Sequence, residues 1–192
     1  MKSLRCFAEA QERAGMYGVI KVMQRNFKDD LKASHEDASL AIWERAYRKL
    51  FVNYSSMADN LTDGLGQRCG VDRVIILTNS KTVKVDEKLI DGDYEKFFIE
   101  FKSSVEHNTP GWVEKELLCD YILYVFKKSG KCFLLPVPQL QRAYVKNKNK
   151  WHKQYVTFMQ PNKGYTTAGL LVPIKVVMQE IAYSHCAKVE VE

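Results

Sequence analysis

The sequence predicts a mixed α/β domain, a central β-sheet flanked by helices, on three observations. Residues 70–89 hold two Val- and Ile-rich runs joined by a polar turn, the pattern of a β-hairpin. Residues 120–136 repeat it with denser aromatic and β-branched character. Residues 38–51 carry Trp43, Tyr47, Leu50 and Phe51 at helical spacing. At 192 residues the chain fits a single domain and is long enough to bury a core without disulfides.

In chain order, residues 1–36 read as an N-terminal helical arm. Residues 34–37 supply capping side chains for the helix over 38–51. The Gly-rich stretch 60–70 reads as a loop from which Gln67 and Arg68 reach toward a phosphate or simply meet water. It lacks the Gly-Lys-Ser/Thr of a Walker A loop. After the hairpin, Phe97 to Lys102 predicts a third strand, and residues 112–118 a short helix. Pro138 suits the first turn of a helix through Val145, leading into a basic segment, and the chain closes on a strand and a helix over 166–181. The core is expected over 37–136 and a C-terminal basic segment with closing elements over 137–192, all in one domain.

The register of the hairpin decides which side chains meet. A three-residue loop of Asn79, Ser80 and Lys81 sets Leu77 opposite Val83, Ile75 opposite Val85 and Arg73 opposite Glu87. A two-residue loop would mix charged and apolar groups on both faces, because a slip of one residue moves every side chain across the sheet. The three-residue loop gathers Asp72, Asp86 and Lys88 at one end of the other face. Two carboxylates beside a lysine suit a hard divalent cation and a phosphate.

An acid at the start of one strand and Asp86-Glu87-Lys88 closing the next resembles the PD-(D/E)XK nuclease superfamily, with Val71 where the superfamily commonly has proline. The resemblance covers roughly residues 37–136. It implies a restriction-endonuclease-like αβββαβ core, Mg²⁺ or Mn²⁺ held by Asp72, Asp86 and the Glu87 main-chain carbonyl, and Lys88 acting on the attacking water and the phosphate. It also implies a metal-site glutamate on the preceding helix, for which Glu44 fits best; the competing reading of Glu44 is an i,i+4 pair with Arg48. Glu100 is expected to add to the metal site from the third strand. In a rival assignment, Asp86 is the first acid and Glu100-x-Lys102 the second element.

The net charge of +6 and pI near 9.0 favour a polyanionic partner. Arg142, Lys146, Lys148, Lys150 and Lys153 lie in a stretch without acids, with Trp151 and Tyr155 among them, as for a phosphate-backbone surface whose aromatics stack on unpaired bases. Five scattered cysteines without C-x-x-C spacing and no leader-like start lead to free thiols and a cytoplasmic location. No apolar run approaches the ~20 residues of a membrane span. The expected function is metal-dependent hydrolysis of DNA, as in small nucleases of phages, mobile elements or bacterial repair. The alternative is a silent nucleic-acid- or partner-binding protein on the same fold. Oligomeric state stays open, a homodimer included.

Overall fold

The structure, a computed structural model, describes residues 41–59 and 69–185. Its elements are α1 (Ala41–Leu50), β1 (Tyr54–Asp59), β2 (Arg73–Leu77), β3 (Thr82–Ile90), β4 (Lys96–Ser104), β5 (Thr109–Pro110), β6 (Tyr121–Phe126), β7 (Lys131–Pro136), α2 (Val137–Gln154), β8 (Thr157–Pro161), β9 (Thr166–Pro173) and α3 (Ile174–His185). The expected N-terminal arm and the Gln67-Arg68 part of the connector lie outside the described residues.

A five-stranded sheet runs β1-β2-β3-β6-β7, with β3 and β6 parallel and the other pairs antiparallel. A four-stranded antiparallel sheet runs β5-β4-β9-β8. Strand alternation splits the first sheet into two apolar faces. Ile75, Val85, Leu123 and Val125 lie under α1 with Trp43, Ala46 and Tyr47. Ile122, Tyr124, Phe126 and Leu135 face the larger core, which they share with Phe97 and Ile99 of β4, Leu170 and Val172 of β9, and both later helices. Tyr124 fastens the two sheets. Its ring meets Phe97 edge-on at 4.9 Å, and its hydroxyl accepts the Phe98 N–H at 3.3 Å, on the side of β4 that does not pair with β9.

α2 starts after Pro136 with Pro138 in its first turn, where a missing N–H is harmless. Leu140, Tyr144, Asn147 and Trp151 form its buried stripe. Among the described residues, no helix is long and apolar enough to cross a membrane.

Several expectations need correction. The hairpin loop is Thr78-Asn79-Ser80, one residue earlier than expected. Ser80 takes a left-handed φ of 62°, its N–H donates to the Leu77 carbonyl, and the Asn79 side chain accepts the Lys81 N–H. Ile75 therefore faces Val83, and Arg73 faces Val85. The slip is two residues, so each side chain keeps its expected face. The third strand expected over 97–102 exists as β4 but belongs to the second sheet. The crossover from β3 to the parallel β6 thus runs through β4 and β5, where the αβββαβ pattern has a helix. The short helix expected over 112–118 is a single turn, in which Glu114 and Lys115 donate to the Gly111 carbonyl.

Candidate active site

β2 and β3 position the expected acids through their alternation. Arg73 and Val85 form the outermost ladder pair, and just beyond it Asp72 turns its N–H onto the Val85 carbonyl at 3.0 Å, which sets its carboxyl group beside Asp86 instead of opposite Lys88. The two carboxyl groups lie close enough for the Asp72 carboxylate to oppose ionisation of Asp86. Lys88, next on the same face, donates to Asp86 Oδ1 at 2.7 Å. The Asp72 carboxylate also accepts the Glu87 N–H at 2.8 Å and takes the place of a ladder partner beyond the end of β2.

Burial raises the Asp86 carboxyl to about 7; Lys88 opposes the shift and Asp72 adds to it. At neutral pH Asp86 therefore sits at the edge of holding a proton. Lys88 goes the other way: burial favours its neutral form, but Asp86, Asp72 and, more weakly, Glu100 together hold its ammonium well above the usual range. Burial pushes the Glu100 carboxyl up, and the charges of Lys88 and Lys115 and the Trp112 main chain oppose that shift.

Glu87 turns to the opposite face of β3. Its carboxylate accepts from Arg73 Nε at 3.0 Å and Nη2 at 3.1 Å, and from the Tyr47 hydroxyl at 2.6 Å. Arg73, 2 % exposed, also pairs with Asp59 of β1. This network joins α1, β1, β2 and β3 directly beneath the acidic pair. The opposite-charge pair Arg73–Glu87 is legible in the sequence; Tyr47 and Asp59 were missed, because neither position stands out until the register is known.

The structure brings together Asp72, Asp86 and Lys88, with Glu100 nearby. It does not bring Glu44. That residue pairs with Arg48 at 2.6 Å on the exposed side of α1, and Arg48 covers the ring of Tyr54, which lies opposite Leu77. Leu77 is five residues from Asp72, roughly 17 Å along the strand, so α1 sends Tyr47 toward the hairpin instead of a metal-site acid. The Glu100-x-Lys102 assignment fails as well. A register shift between the two residues breaks their shared face, and Lys102 donates to Asn108 at 2.7 Å. Asp120 accepts the Lys84 N–H at 2.7 Å, a cap at the start of β6.

The donor set fits a hard cation. Two neighbouring carboxyl groups in a buried place favour a proton or a cation between them, and Mg²⁺ is commonly bound by one or two carboxylates with water and substrate oxygens completing its shell. The Glu87 carbonyl points to the same strand edge as its N–H, which Asp72 receives, and so lies on the side of the pair. No group of three or more His, Cys, Asp or Glu side chains placed to hold a metal occurs among the described residues.

Four of the five expected phosphate-binding residues line α2 as a row. Arg142, Lys146, Lys150 and Lys153 recur at helical spacing on its exposed side. Lys148 lies on the flank and pairs with Glu114 at 2.7 Å. Lys146 reaches Glu180 of α3 at 3.3 Å. Trp151 cannot stack on bases: it is 1 % exposed, in the core, with Tyr155 packed on its ring. His152 serves a polar chain on the same flank. The Tyr144 hydroxyl donates to Glu114 at 2.9 Å, so His152 Nε2, 3.0 Å away, is its donor.

No protein-family model, curated protein or solved structure matches the chain.

Proposed function

We propose that the protein hydrolyses phosphodiester bonds of nucleic acid, DNA foremost, in a metal-dependent reaction of the PD-(D/E)XK type. The observation that carries this reading is the placement of Asp72 and Asp86 side by side, with Lys88 donating to Asp86 on the same face. Asp72, Asp86 and the Glu87 carbonyl would hold Mg²⁺ or Mn²⁺. When bound, the ion would supply a lowered water pKa and neutralise charge on the phosphate. Lys88 keeps its proton in this field, so it acts as a donor and a positive charge toward the attacking water and the phosphate oxygens, not as a base. Glu100 orients Lys88 from the facing strand. Arg73 and Tyr47 fix Glu87 and, through it, the twist of β3 that aims Asp86 and Lys88.

The second reading is a binding protein without hydrolysis. The 2.7 Å Lys88–Asp86 pair favours it, because that contact occupies a carboxylate oxygen that a metal would use. One experiment separates the two. Linear, nicked, branched and single-stranded DNA are incubated with Mg²⁺, Mn²⁺ or EDTA, using wild type, Asp86→Asn, Lys88→Ala and Glu44→Gln. Hydrolysis predicts cutting that needs metal, survives Glu44→Gln and falls at least a hundredfold in the other two variants, as expected when a group stabilising transition-state charge is removed. Salt-dependent binding with no cutting in any metal would reject it in favour of the second reading.

A further inference from the structure

We infer that the substrate is a single strand, carried across the exposed face of α2 and led to the acidic pair through the groove beside that helix. The inference rests on the hydrolytic reading for its destination, and on separate observations for the path.

The first observation is the row itself. Arg142, Lys146, Lys150 and Lys153 follow one side of α2 at steps of three or four residues, about 5–6 Å each along the axis, a spacing suited to successive phosphates of one strand. The second is Tyr183 of α3. It is 67 % exposed, and the Lys146 ammonium, itself paired with Glu180, lies 6.0 Å from its ring centre, so an exposed aromatic ring stands beside the basic row. That pairing is what single-strand surfaces use, because every base offers a π-face and only an unpaired base can present it. It replaces the buried Trp151 and arises from the packing of α3 on α2.

The third observation is the groove on the other flank of α2. Its volume is about 500 Å³, and Glu114, Lys115, Gln141, Tyr144, Val145 and Lys148 line it. It is a space for a few nucleotide groups and not for a duplex. Glu114 is already neutralised there by Lys148 and the Tyr144 hydroxyl. Lys115 stands in the turn that joins the groove to β4 at Glu100. The turn bearing Lys115 is held firmly. Val113 donates to the Glu100 carbonyl at 3.2 Å, and Gln141 of α2 donates to the Lys115 carbonyl at 2.8 Å.

The test is fluorescence anisotropy of labelled oligo(dT), its RNA counterpart and a duplex of equal length, with the full chain in EDTA across a salt series. Tyr183→Ala, Tyr183→Phe, Lys146→Gln/Lys150→Gln and, as an off-platform control, Lys175→Gln accompany wild type. Single strands are expected to bind more tightly than the duplex, with log K falling against log salt at a slope of about −2.8 for four neutralised phosphates. Lys146→Gln/Lys150→Gln should reduce that slope by about 1.4. Tyr183→Ala should weaken single-strand binding about tenfold, while Tyr183→Phe and Lys175→Gln leave it near wild type. Equal or tighter duplex binding, or a Tyr183→Ala variant that binds as wild type, overturns the inference. The DNA and RNA arms tell which strand is preferred. Cutting of the same strands in Mn²⁺ is scored apart. Cutting without single-strand preference rejects this path alone, whereas the expected binding without cutting rejects the hydrolytic destination and keeps the platform.

Discussion

Asp86→Asn should make the metal-free protein more stable at pH 8 and leave it nearly unchanged at pH 4. Asp86 is 4 % exposed, and burial beside Asp72 raises its carboxyl from an ordinary 3.8 to about 7. Because the folded-state value is the higher one, the folded form holds a proton that the unfolded chain has released. The associated stability is complete below about pH 4 and is lost as pH rises through about 7. The interval corresponds to an upper bound of about 4 kcal/mol. Half of that, about 2 kcal/mol, is a reasonable figure, because Lys88 keeps 31 % of its side chain exposed and water shares the charge. Asparagine mimics the protonated acid: its oxygen still accepts from Lys88 and its amide still donates to Asp72. Urea titrations in EDTA from pH 4 to 8 give the difference between variant and wild type, in which other titrating groups cancel. That difference should grow toward pH 7 and level off, with a melting-temperature gain of about 4–8 °C at pH 8. A difference that does not change with pH, or an Asp86→Asn variant less stable than wild type at pH 8, would refute the account of the pair.

Two further substitutions probe the supports of the site. Glu87→Leu alone leaves the buried Arg73 guanidinium without its buried carboxylate, with Asp59 still paired to it, and should cost about 3 kcal/mol, whereas Arg73→Met with Glu87→Leu should recover most of that loss; additive losses in denaturant titrations would show that the pair is not the unit. Gly111→Ala would set a Cβ 2.4 Å from the Glu100 carbonyl oxygen, with main chain on both sides and no flexible side chain to yield. A melting temperature lowered by several degrees is expected; an unchanged one would mean that the turn bearing Lys115 is looser than the packing implies.

The parts of the fold legible in the sequence are those written as periodicity. Both hairpins, α1 and the closing strand and helix follow from apolar spacing, and the slip of two residues in the first hairpin left its faces intact. The left-handed Ser80 that moved the loop has no strong signal, since serine is neither glycine nor asparagine. β1, Tyr-Ser-Ser-Met-Ala-Asp, is a half-exposed edge strand with little apolar content, and only its pairing with β2 makes it a strand. The transfer of β4 to a second sheet is equally silent, because period two identifies a strand and not its neighbours. The burial of Trp151, by contrast, was legible: Leu140, Tyr144, Asn147 and Trp151 fall at i, i+4, i+7 and i+11, a core stripe on the helix that carries the basic row. One helix thus carries two overlapping patterns, the basic row outward and the apolar stripe inward.

The two faces of β3 carry opposite assignments. Glu87 is satisfied on the α1 side by three donated hydrogen bonds, from Tyr47 and twice from Arg73, and behaves as a structural acid. Asp86, one residue earlier, is pressed against a second carboxyl group and compensated by one lysine. Replacing buried charge with well-packed apolar side chains is commonly neutral or stabilising. A hairpin shaped by folding alone would therefore gain from an apolar residue at position 86, where Ile122 and Tyr124 of the parallel neighbour already offer an apolar surface. The cost falls on Asp72, Asp86 and Lys88, with the satisfied Glu87 network directly on the reverse face, and it is on that unoffset cost that the proposed hydrolytic reading rests.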